Sequence, residues 1–113
     1  MTIFEKIARR EIPAEIIYEE DDFMVIRDIH AQAPVHVLLV PKKVIPRLGE
    51  AQPGEDAAIL GKMLAATGQI ARMLGVYDSG YRVVINHGAD AGETVPHLHM
   101  HLLGKRPLSW PPG

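Results

Sequence analysis

Three of the six histidines in this chain fall at every second position of the run Val95-Pro96-His97-Leu98-His99-Met100-His101-Leu102-Leu103. Successive side chains on a β-strand point to opposite faces, so this spacing predicts a column of three imidazoles backed by Leu98, Met100 and Leu102. A helix would break the column: at about 3.6 residues per turn His97 and His101 share a face while His99 lies among the apolar residues. Pro96 at the start and Gly104 at the end suit the limits of a strand.

Two chemistries fit such a column. Same-face neighbours stand about 6.6 Å apart along a strand and the outer pair about 13 Å, whereas zinc holds each nitrogen at about 2.0 to 2.1 Å. One ion can therefore take two neighbouring rings but hardly three. The alternative is attack on a phosphorus centre, because imidazole is a good nucleophile at neutral pH and titrates close to it.

Composition narrows the remaining classes. A chain of 113 residues has the length of one domain, and 47% hydrophobic against 23% charged residues is globular composition. Lys plus Arg number 12 against 14 for Asp plus Glu, with no basic block longer than two, so nothing marks a nucleic-acid partner. There is no cysteine, hence no disulfide, thiol nucleophile or thiolate metal site. Met1 to Arg10 lacks the apolar core of a signal peptide and no stretch approaches 18 apolar residues, which predicts a cytoplasmic protein without a membrane span.

Along the chain, Thr2-Ile3-Phe4-Glu5 reads as a capping box, opening a short helix whose stripe is Ile3, Phe4 and Ile7 and which ends before Pro13. Ala14 to Glu19 and Phe23 to Ile29 read as a hairpin about the acidic turn Glu20-Asp21-Asp22. In its second strand Met24, Ile26 and Asp28 share a parity. There Asp28 either caps a turn or accepts hydrogen bonds from a ribose diol beside apolar contacts to a base. Val35 to Val40 is too continuously apolar to have a bare face, with His36 at its edge. From Glu55 to Leu74 the recurrence of Ile59, Met63, Ala66, Ile70 and Met73 predicts one long helix, closed by Gly75. Gly61 and Gly68 inside it each cost about 1 kcal/mol relative to alanine, which suggests close approach of another backbone. Tyr81 to Asn86 is a fourth strand, and the glycine-containing loop from His87 to Thr94 leads into the histidine run, with Asn86 and Thr94 at its two ends.

The segment His97 to Leu103 resembles the signature of the histidine triad (HIT) family. The resemblance runs from Thr2-Ile3-Phe4 through Arg27-Asp28-Ile29, Ala33-Pro34-Val35-His36, Pro41-Lys42-Lys43 and Val83-Val84-Ile85-Asn86 to Trp110-Pro111-Pro112-Gly113. That ending is similar to the Hint branch of small purine-nucleotide-binding hydrolases. The resemblance implies an α+β HIT fold over residues 1–113, with a five-stranded antiparallel sheet and two helices, and a homodimer whose sheets join across the interface. It implies hydrolysis of nucleoside 5'-phosphoramidates without metal or cofactor. His99 is the implied nucleophile, and His97, His101 and His36 the implied ring-orienting and proton-handling groups. Ile3, Phe4, Ile7, Ile26 and Ile29 would wall the purine, Asp28 would bind the ribose, and Asn86, Gly92 and Thr94 would contact the phosphate or leaving group. Trp110 would lie in a tail that reaches the partner subunit's site and shapes substrate choice. Two departures stand out: Glu93 where relatives often carry glutamine, a negative charge expected near the ligand, and Gly104-Lys105-Arg106 in place of a common Gly-Gly-Arg. The competing readings are a dinucleoside polyphosphate hydrolase of another HIT branch, disfavoured by the tail, a non-catalytic nucleotide-binding regulator, and a histidine-based zinc protein.

Overall fold

A computed structural model describes residues 1–113. Five strands form one antiparallel sheet in the order β1-β2-β3-β5-β4: β1 (Ile16–Glu19), β2 (Phe23–Arg27), β3 (Val35–Pro41), β4 (Tyr81–Val84) and β5 (Met100–Gly104). Two α-helices accompany it, α1 (Ile3–Ala8) and α2 (Glu55–Met73).

Alternation along the strands sorts their residues onto two faces. Phe23, Val25, Val37, Leu39, Met100 and Leu102 join Ile59, Met63 and Ile70 of α2 in one buried cluster. Met24, Ile26, Leu38 and Val40 join Phe4 and Ile7 of α1 in a second. Both faces of β3 are therefore covered, which is why its sequence shows no polar stripe.

The helix limits follow local chemistry. Thr2 and Glu5 complete the expected capping box at the start of α1. Helix α2 ends at Met73, with Leu74 as its cap and Gly75 at φ +73° beyond it, a left-handed conformation that glycine adopts without strain. Nothing within the chain approaches Gly61, and the space beside Gly68 holds only the side chains of Arg72 and Tyr77 at 3.7 Å. The close backbone approach expected at these glycines does not occur inside this chain.

The expected strand through all three histidines is corrected. Strand β5 begins only at Met100, where its pairing with Leu39 of β3 begins, while Leu98 is tied instead to the Ile45 carbonyl (2.7 Å) and His97 N–H turns back to the Val95 carbonyl (2.8 Å). The period of two survives for Leu98, Met100 and Leu102, which all enter the α2-side core. His97 stays on the α1 side with His99, both rings packing on Phe4, but it is buried. The fourth strand likewise stops at Val84, short of the expected Asn86.

Candidate active site

The face of the sheet that carries α1 also carries the polar groups. His101 on β5 stands opposite Leu38 on β3, and His36 stands opposite Leu103, so the two histidines are diagonal neighbours on one face. Their rings meet, with His36 Nε2 2.9 Å from His101 Nδ1. Asp28, just past the end of β2, is drawn to the same spot by its own N–H, which donates to the His36 carbonyl (3.1 Å). Its Oδ2 lies 3.2 Å from His36 Nε2, while Oδ1 accepts from the His30 N–H at 2.8 Å. Beside these groups opens a cleft of about 370 Å³, walled by α1, the end of β2 with the residues after it, and the chain around Thr94 and Val95. His99 and His101 both line it. That volume lies within the range of small-ligand sites.

Hydrogen-bond partners assign the ring protons. A backbone N–H can only donate and a carbonyl can only accept. Gln32 N–H donates to His36 Nδ1 (2.9 Å), so neutral His36 carries its hydrogen on Nε2 and gives it to His101 Nδ1. His101 then carries its own hydrogen on Nε2. His99 Nδ1 lies 2.8 Å from the His97 carbonyl and must donate to it, which leaves Nε2 of neutral His99 as a bare lone pair. The ring centroids of His99 and His101 are 5.1 Å apart. A nucleophilic nitrogen and an N–H donor thus stand side by side at one cleft.

Burial keeps the supporting rings neutral. His101 is held down to about 4, chiefly by burial and then by the neighbouring His99 and His36, with Asp28 pulling weakly the other way. Burial likewise lowers His36 against the attraction of Asp28, and lowers His97 against its bond to the Pro41 carbonyl. Asp28, His36 and His101 are close enough together to hold a cation. A metal on His36 Nε2, however, would need the ring hydrogen on Nδ1, where Gln32 N–H would face a second donor. The arrangement suits a shared proton better than an ion.

The sequence profile of the HIT domain family matches residues 9–108. The chain belongs to the HIT family. It is 56% identical over 112 residues to an uncharacterized HIT-like protein of Synechocystis sp., covering 99% of this chain and 96% of that one. Its fold is similar to that of a HIT family hydrolase from Legionella pneumophila, at a TM-score of 0.95 and 39% identity with both chains covered in full. A histidine triad nucleotide-binding protein from Candida albicans is similar at a TM-score of 0.85 and 28% identity, over 98% of this chain and 83% of that one.

Within this HIT chain, Ile3, Phe4, Ile7, Ile26, Ile29, Asp28, Thr94, His99 and His101 all line the cleft. His36 lies behind it. Asn86 and Gly92 stand outside the cleft wall, as does Trp110, which is 82% exposed. His97 is buried between Thr2 Oγ1 (2.7 Å from Nδ1) and the Pro41 carbonyl (2.7 Å from Nε2). The Glu93 carboxylate is bound by Arg47 at 2.9 and 3.1 Å and by the Gly88 N–H at 2.9 Å. These donors hold it down to about 2, so the carboxylate stays ionised, paired with an Arg47 that also meets Glu50 at 3.5 Å, and the pairing closes the loop ahead of Thr94. Lys105, where a glycine is common, adopts φ +68°.

Sequence reasoning missed Ile12, Leu38 and Val95 as wall residues, and assigned nothing to His30, which also lines the cleft. Leu38 shares the parity of His36, and that was the available signal. Gln32 acts through its main chain and leaves no mark in residue type.

Proposed function

We propose that this chain is a Hint-type hydrolase that cleaves the P–N bond of purine nucleoside 5'-phosphoramidates. The observation that carries the reading is the bare Nε2 of His99 at the cleft, set by the bond from Nδ1–H to the His97 carbonyl. The His99 lone pair attacks phosphorus, the P–N bond breaks, and the amine leaves with a proton taken from solvent, which the attacking water of the second step returns. Water then attacks the nucleotidyl-histidine, releasing the nucleoside monophosphate and restoring the ring. The Nε2–H of His101 is available to a phosphoryl oxygen, and the His36 pair behind it relays proton demand. The apolar wall of Phe4, Ile7 and Ile26 offers a purine its surface, and Asp28 retains lone pairs for a ribose diol.

The active form in this reading is a homodimer. Helix α2 exposes Leu64 and Met73, both about half exposed, and β4 is a free edge of the sheet. Sedimentation as a monomer at high micromolar concentration would refute that part.

The reaction is tested by incubating the protein with adenosine 5'-phosphoramidate, following AMP release and trapping an acid-labile adenylated protein. Replacing His99 by alanine should abolish both while AMP still binds. AMP binding without any turnover by the unaltered protein would leave a nucleotide-binding regulator.

A further inference from the structure

Helix α1 does more than wall the cleft. Its first residues reach across the fold to the segment that holds His99, a separation of 95 residues along the chain. The His97 ring is buried, and its Nε2 must donate to the Pro41 carbonyl, so Nδ1 of the neutral ring is an acceptor. The Thr2 hydroxyl is 2.7 Å away and supplies the hydrogen. The same oxygen accepts the helix-capping bond from Glu5 N–H at the longer distance of 3.2 Å. The peptide carbonyl of His97 in turn fixes His99 Nδ1. Phe4, two residues beyond Thr2, packs on both rings, with centroids 5.4 Å from His97 and 5.0 Å from His99.

We propose that Thr2 is a positioning residue for the His99 nucleophile, its hydroxyl hydrogen anchoring the His97 ring and thereby the carbonyl that selects the His99 tautomer. The inference rests on the reaction assigned above. It separates two jobs of one hydroxyl: accepting from Glu5 caps the helix, and donating to His97 serves the nucleophile. Serine does both. Valine does neither. Glycine costs the cap little but has no hydroxyl to give, so it leaves His97 Nδ1 without its anchor.

The test is the single-turnover rate of protein adenylation from adenosine 5'-phosphoramidate, with AMP affinity measured alongside for Thr2→Ser, Thr2→Val and Thr2→Gly. Thr2→Val and Thr2→Gly should slow adenylation about tenfold or more, as small displacements of a nucleophile do, with AMP affinity within about threefold and Thr2→Ser near the unaltered protein. A rate for Thr2→Gly equal to that of Thr2→Ser would show that the donated hydrogen does not matter and overturn the inference. So would a loss of AMP affinity matching the loss of rate. If the unaltered protein forms no adenylate, the assigned reaction fails on its own. Nitrogen NMR of the imidazoles in the free protein then decides the inference separately: Thr2→Gly should shift the His97 Nδ1 signal as its donor is lost, and the His99 ring signals with it. Unchanged His99 signals would refute the linkage whatever the enzyme does.

Discussion

Lowering the pH should destabilise this protein through its histidines before its carboxylates. His101 titrates at about 4 in the folded chain against an ordinary imidazole value of 6.5. Because the folded value is the lower one, the unfolded chain takes up the proton first as pH falls. Stability from this group is complete above about 6.5, is lost between 6.5 and 4, and falls no further once both states are protonated. At about 1.36 kcal/mol per pH unit, the gap amounts to about 3 kcal/mol, a large share of the 5–15 kcal/mol typical of a domain. His36 and His97 are lowered by burial too and act in the same direction. Glu93, held at about 2, and Glu19 and Asp56, also lowered by their cationic partners, lose their contributions only further into acid. Urea denaturation at fixed protein concentration, repeated from pH 7.5 to 4.5, should therefore show stability declining by about 1.4 kcal/mol per pH unit for each buried imidazole that titrates. His101→Asn removes one of these protons and should flatten the slope by about that amount. A profile level between pH 7 and 5, or an equal slope in His101→Asn, would refute the assignment of buried neutral rings.

Three further outcomes test other parts of the structure. Met63, wholly buried between α2 and the sheet, should cost about 2 to 5 kcal/mol on replacement by alanine, read as a lower urea midpoint with unchanged slope. Lys105→Gly relieves a left-handed residue and should raise stability by about 0.5 to 1 kcal/mol in the same assay. Arg47→Ala should weaken AMP binding as read by calorimetry, by freeing the Glu93 carboxylate next to Thr94, whereas Glu93→Gln, which removes that charge, should not weaken it.

Periodicity made most of the scaffold legible. The four-and-three spacing of Ile59, Met63 and Ile70 marks α2, and the unbroken apolar run of β3 signals a strand covered on both sides. The family pattern led to His99, His101, His36 and Asp28, which the fold brings to one face. The partners of His97 were not legible, because Thr2 and Pro41 lie 95 and 56 residues away in sequence. Nor was the state of Glu93, whose partner Arg47 is 46 residues away in sequence. Such long-range pairs leave no local pattern.

The hydrogens on His36 and His99 are dictated by peptide groups, the N–H of Gln32 and the C=O of His97. Exchange of the Gln32 side chain leaves its N–H in place, and the His97 carbonyl moves only with the ring that Thr2 anchors, so few side chains set these hydrogens. Inserting or deleting one residue between Gln32 and His36, or between His97 and His99, shifts the peptide groups themselves, and spacing rather than composition becomes the property the chain has to keep.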